Sequence, residues 1–342
     1  MPIACAIVLA LACSVSSAQQ PSDKTYDSKI TGAFIHDTVA SLQKLIHEKY
    51  FDTNVIPRIE AALAAAEQQG VYAKAKDLGD LSAKLNGTLD QVTHDKHLCV
   101  QISESASPEP RLPRAERARM ENYGIKQAEV LDGNVGYLQM TAFYRPNEAA
   151  EALETAMNFL SHTDALILDF RNNGGGSPET VAQLLSYFFK QPGLPLFTIV
   201  PRLGEPTIYN TQVSGVAYRD ESRPLYVLVS GSTWSGGEGV PFILQACHRA
   251  TIIGEKTVGA ANVASPWPIN SALSVTIPLA RLEIARNKTN WEGRGVIPDI
   301  AVPPNKALGA AYVDALGRLM ESTTDAARKK VLDHALSAAR AL

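Results

Sequence analysis

Ser235 lies in the stretch GSTWSGGEGV, residues 231–240, directly after the apolar run PLYVLVS. The run Leu225–Val229 reads as a buried strand and Glu238 to Cys247 as a helix, so the serine stands at a strand-to-helix junction. A hydroxyl there sits among unsatisfied N–H groups at the positive end of a helix dipole, a setting that favours an adjacent oxyanion. The N–H of Gly236 would be one donor to it. The same residues also spell a capping box, Ser235-x-x-Glu238, which needs no chemistry at all. The G-x-S-x-G pattern of a nucleophile elbow is not met, because Thr233 holds the first glycine position. Nucleophile and helix cap both remain open on these residues.

A second glycine-rich turn, LILDFRNNGGGSPETV (166–181), ends another strand and opens another helix. Three successive glycines let backbone N–H groups approach a ligand closely. Neither GxGxxG nor GxxxxGK[ST] is present, so a nucleotide loop lacks its signature. Donors aimed at a developing oxyanion, as acyl transfer requires, fit better. A serine nucleophile also needs a base. Of seven histidines, His36, His47, His162, His248 and His334 fall on helices, helix ends or loops, where a surface role suffices. His94 and His97, in VTHDKHLCV, sit at a helix-to-strand junction and are the pair worth considering. There is no CxxC and no HExxH, so neither a zinc site nor any other cofactor is expected.

The elements that would hold these residues follow from the hydrophobic pattern. After an uncharged apolar stretch (residues 1–18) that reads as a cleavable export signal, a polar linker leads to three helical patterns. ALAC, ending at Cys13, makes a poor lipoprotein acceptor site. Residues 25–105 are expected to form a helical unit closed by the strand HLCVQIS, and 106–124 a proline- and charge-rich connector. From 125 to 342 strands alternate with helices, the pattern of a mostly parallel sheet covered on both faces. LSVTIPLARLEIA reads as an antiparallel addition and 306–341 as a closing helical region. The fold class is therefore α/β with a small N-terminal helical domain. A net charge of −3 without a basic stripe argues against a nucleic-acid partner. No internal apolar run reaches the roughly 20 residues that span a bilayer. Oligomeric state is not readable from the sequence.

Four motifs in order, ALILDFRNNGGGS, STWSGGEGV, ATIIGEKTVGAANV and GRGVIPDIAV, resemble the tail-specific, or C-terminal-processing, serine protease family. The helical unit followed by DKHLCV is more similar to one branch, the interphotoreceptor retinoid-binding protein repeats and the tricorn protease core. The resemblance implies a ClpP/crotonase-like ββα spiral core, with the nucleophile on Ser235. Processing proteases take a lysine base from G-E-x-T-x-G-K; here Ala260 holds the lysine position, and Lys256 is four residues early. The tricorn-like arrangement implies His97 as base, with His94 the lesser alternative, and Glu292 in WEGRGVIPDI as the acid that orients it. Gly236, Gly174 and Gly175 are implied as the oxyanion hole, while Asp169 and Arg171 support the loop. No PDZ-like segment is visible between helical unit and core. The implied activity is that of an exported serine-type peptidase acting on peptide or protein substrates. The alternative is a non-catalytic binder of retinoid- or fatty-acid-like ligands on the same scaffold. A crotonase-type acyl-CoA enzyme finds no matching motif.

Overall fold

The computed structural model describes residues 30–103, 112–212 and 222–340. The expected export signal lies outside them. The chain divides into two compact units. The first takes Met1–Arg111, Ile199–Thr207 and Asn262–Leu282; the second takes Leu112–Thr198, Ile208–Ala261 and Glu283–Leu342.

In the first unit, α1 (Gly32–Lys49) starts where the Thr31 hydroxyl accepts the Phe34 N–H, a standard cap. Its buried stripe is Ile35, Val39, Leu42 and Ile46. Helix α2 (Ile56–Gln68) ends just before Gly70, whose φ of 69° terminates it. Helix α3 (Leu78–Thr93) begins on an Asp77 cap and buries Leu78, Leu81, Leu85 and Leu89. These stripes close one core with Val100, Val275 and Ile277. Strand β1 (Cys99–Ile102) pairs antiparallel with β10 (Leu273–Ile284), which pairs antiparallel with β9 (Val263–Pro268). The Asn86 side chain clamps β1 to α3, accepting the Val100 N–H at 2.6 Å and donating to the Val100 carbonyl at 2.9 Å. The antiparallel addition expected near residue 273 is thus β10, but the 262–282 segment belongs to the first unit rather than to the later core.

The second unit is built on a six-stranded sheet. Its elements in chain order are α4 (Arg114–Met120), β2 (Ile125–Leu131), β3 (Val135–Met140), α5 (Pro146–Phe159), β4 (Ala165–Asp169) and α6 (Pro178–Ser186). β7 (Leu225–Val229), α7 (Gly236–Ala246), β8 (Thr251–Gly254), β11 (Ile300–Ala301), α8 (Pro304–Ser322) and α9 (Ala326–Ala339) follow. Residues of β5 (Pro195–Pro201) and β6 (Thr207–Asn210) are divided between the units. Strand order is β11-β8-β7-β4-β3-β2, parallel except for β2 against β3. Every residue of β4 and β7 is buried, as a parallel sheet covered on both faces requires. Their carboxyl ends deliver the glycine loop and the Ser235 turn side by side, where open α/β sheets place functional groups. Strand β2 was not expected: an edge strand with the mixed pattern IKQAEVL has no strong alternation. The described part of the connector forms α4 and a tight turn at Asn122–Gly124.

Candidate active site

Ser235 links β7 to α7 with φ 53° and ψ −119°. A plain helix cap has extended backbone, as Thr31 does here with φ −94° and ψ 160°. Ser235 closes the expected capping box with Glu238, yet its backbone departs from that extended form, in a region that costs a non-glycine residue about 1–3 kcal/mol and needs surrounding structure to hold it. The restraints are on both sides. The Trp234 N–H donates to the Asn173 carbonyl at 2.9 Å, and the Glu238 and Gly239 N–H groups donate to the Ser235 carbonyl. Thr233, fully buried, donates its hydroxyl to Phe170 O at 2.8 Å and accepts the Ser230 N–H at 2.9 Å. The threonine in the place of an elbow glycine therefore secures the turn. Ser235 itself is partly exposed.

The glycine loop packs directly on this turn. A Cβ at Gly175 would stand 2.8 Å from both Ser235 Cβ and Gly236 N, so only glycine fits. Here the structure corrects the expected oxyanion donors. The Gly174 N–H is engaged with Thr141 O at 2.9 Å, and the Gly175 N–H with the Asn173 side-chain oxygen at 2.8 Å. Asn173, whose amide also donates to Met140 O, shapes the loop at the expense of those two donors. The N–H groups of Gly236 and Gly176 make no hydrogen bond among the described residues; Gly176 N lies 3.2 Å from where a Gly236 Cβ would be. Below the loop, Asp169 is buried and takes both a bidentate Arg171 guanidinium and the Tyr137 hydroxyl at 2.6 Å. Arg171 also reaches Pro304 O, so the pair braces the loop.

Glu238 was read from sequence only as a capping partner. It is fully buried, and four donors converge on its carboxylate. Oε2 accepts the N–H of Ser235 at 2.9 Å and of Ala260 at 2.9 Å; Oε1 accepts the Thr257 hydroxyl at 2.5 Å and the Gly259 N–H at 2.6 Å. Burial outweighs these donors and pushes its carboxyl up to about 7. Ala260, at the lysine position of processing proteases, is itself fully buried, and Lys256 is exposed.

Glu292 hangs on the same segment: its Oε2 accepts the Ala261 N–H at 2.6 Å. The preceding Trp291 is buried, donates its indole N–H to Ala260 O at 2.9 Å and lies against Gly239 of α7, where a Cβ would meet the ring at 3.1 Å. Consecutive N–H groups from Gly259 to Ala261 thus serve Glu238 and then Glu292. That juxtaposition ties the Ser235 turn and the acid to one strip of backbone.

His97 belongs to the first unit. Helix α3 ends on His94 in a left-handed conformation (φ 53°), which turns the chain toward β1. His94 is thereby used as a helix terminator. His97 is 2% exposed, and burial alone lowers its imidazole to about 4, so the ring is neutral at physiological pH. Asp95, which sequence reasoning passed over, accepts the His97 N–H at 3.0 Å. Cys99, two residues on, is buried in β1. His36 and His47 pair with Glu67 and Glu60 on exposed helix faces.

With this geometry in view, residues 134–302 match the family described as Peptidase family S41. Residues 31–133 match the N-terminal domain of Peptidase_S41 in eukaryotic IRBP. The chain belongs to peptidase family S41. Its two matched regions abut, and no PDZ match lies between them. Among curated relatives, carboxyl-terminal-processing peptidase 2 of Arabidopsis thaliana is 29% identical over 214 residues, 60% of this chain and 40% of that one. A carboxyl-terminal-processing protease of Synechocystis is 30% identical over 172 residues, 49% of this chain and 38% of that one. This S41 chain therefore aligns with about two fifths of these relatives' length. In fold it is similar to mature CPAF (TM-score 0.55, 14% identity, 88% of this chain and 98% of that). It is also similar to a lipoprotein from Streptococcus agalactiae (TM-score 0.50, 12% identity, 88% and 99%). The architecture is the ββα core with an N-terminal helical domain. No described helix is long and apolar enough to cross a membrane.

Proposed function

We propose that this S41 chain is an exported serine-type peptidase acting on peptide or protein substrates through an acyl-enzyme on Ser235. The observation that carries the reading is the strained Ser235 backbone, φ 53° and ψ −119°, which a helix cap does not need and a nucleophile presented at a strand-to-helix turn does. His97 is neutral and so able to accept a proton; it takes that of Ser235 as Oγ attacks the scissile carbonyl carbon. The oxyanion is met by the N–H groups of Gly236 and Gly176. His97 then returns the proton to the leaving amine, and water, deprotonated by the same imidazole, hydrolyses the acyl ester. Glu292 supports the positive charge that His97 carries between these steps.

The test is labelling of the purified chain by a fluorophosphonate, with the adduct located by mass spectrometry. Ser235 should be labelled in the parent, and neither Ser235→Ala nor His97→Ala should react there while both remain folded. Folded parent protein that stays unlabelled, or that binds fatty acid and retinoid without reacting, sinks the peptidase reading.

A further inference from the structure

The turn that carries His97 has no regular secondary structure between His94 and Leu98, yet a general base must be held to within about 0.5 Å of its productive position. Asp95 lies in this turn with only 6% exposure. Its Oδ1 accepts the backbone N–H of His97 at 3.0 Å. Its Oδ2 accepts the Tyr50 hydroxyl at 3.2 Å and the Asn262 amide at 2.9 Å. The donors come from three separate places: the end of α1, the residue before β9, and the turn itself. An aspartate that merely closed a surface turn would need only the local bond. This one is buried, and it joins the turn to two distant elements of the first unit. A carboxylate oxygen of Asp95 and a ring nitrogen of His97 lie within 4.8 Å of each other.

We infer that Asp95 is a positioning residue for the base: its carboxylate, fixed by Tyr50 and Asn262, holds the His97 backbone and thereby sets where the imidazole can act. This rests on the reading of His97 as the base. Asp95 acts through the main chain of His97, so what matters is an acceptor two residues before that N–H.

The experiment measures the rate and the end point of fluorophosphonate labelling for the full chain and four variants, with near-ultraviolet circular dichroism reporting the folded fraction. Asp95→Ala removes the acceptor. Asp95→Ser and Asp95→Asn keep an oxygen within reach of the His97 N–H while changing the bonds to Tyr50 and Asn262. His97→Ala reports on the premise. The inference expects Asp95→Ala to label about 100-fold more slowly with an unchanged end point, since a misplacement of about 1 Å costs that much. The Ser and Asn variants should stay within about tenfold of the parent, although less stable. Parental rates in Asp95→Ala, equal slowing in all three Asp95 variants, or rates that simply follow the folded fraction would each overturn it. Should Asp95→Ala not fold, Asp95→Ser decides: within about tenfold supports the inference, and a hundredfold loss in folded protein overturns it. Parental labelling in His97→Ala would overturn both premise and inference. Silence in His97→Ala with parental rates in Asp95→Ala would remove the inference alone.

Discussion

Replacing Glu238 by Gln tests whether a protonatable carboxyl is built into the support of the Ser235 turn. The carboxylate is fully buried, and its pKa rises from 4.5 to about 7 because burial outweighs four hydrogen bonds. Between those values the native state holds a proton that the unfolded chain has released. The stability contributed is therefore complete below pH ~4.5 and is lost as pH rises through about 7. A shift of about 2.5 units at about 1.4 kcal/mol each makes that loss about 3 kcal/mol. Glutamine does not titrate, so its stability curve lacks this component. It also offers one acceptor oxygen where Glu238 offers two, so the amide NH2 faces at least one of the buried donors, Gly259 N–H if Oε1 is the atom replaced. Leaving that donor unpaired costs a further ~1–3 kcal/mol at every pH. Urea unfolding from pH 4.5 to 8 should show the parent losing its advantage over Glu238→Gln by up to about 3 kcal/mol across the window. Parallel curves for the two proteins would refute the claim that Glu238 is protonated in the fold.

Other consequences follow from the same geometry. Ser235→Gly should be more stable than Ser235→Ala by about 1 kcal/mol, because glycine accepts φ 53° without strain; equal thermal midpoints would count against a strained turn. With His97 lowered to about 4, kcat/KM should hold its plateau well below pH 6.5 and fall only as the imidazole protonates near pH 4, and an acid limb near 6.5 would contradict a buried neutral base. Gly176→Ala should fail to accumulate as soluble protein, since its Cβ would stand 2.0 Å from Phe143 O at a φ of 142°, and recovery of active variant would disprove the close approach. Leu42→Ala should cost ~2–5 kcal/mol in the helical core, read from denaturant midpoints; a loss under ~1 kcal/mol would mean that the first unit packs differently.

Much of the scaffold was legible in the residues. The three helical patterns of the first unit and the uninterrupted apolar runs of β4 and β7 are local signals with local causes. Hydrophobic period and turn chemistry sufficed for them. The positions of the two glycine turns, at the ends of strands in a parallel sheet, followed from the alternation of elements. Edge strand β2 escaped because it is mostly exposed and its sequence is mixed.

What tertiary structure alone decided is the state of each functional group. Ser235-x-x-Glu238 spells a cap and a nucleophile turn equally well; the folded chain closes the capping box, and what goes beyond a cap is the pair of backbone angles imposed by contacts from Asn173 and Thr233. Gly174 and Gly175 looked like free donors until Thr141, some thirty residues earlier, and the Asn173 side chain took their N–H groups. In the chain Glu238 read only as a capping partner, and Asp95 as an ordinary acid. Their burial, and the donors that gather on them from Thr257, Gly259, Tyr50 and Asn262, arise only when distant segments meet. Sequence fixes which side chains exist and the period of their burial. Solvation and hydrogen-bond partnership, which set pKa and geometry, belong to the folded neighbourhood.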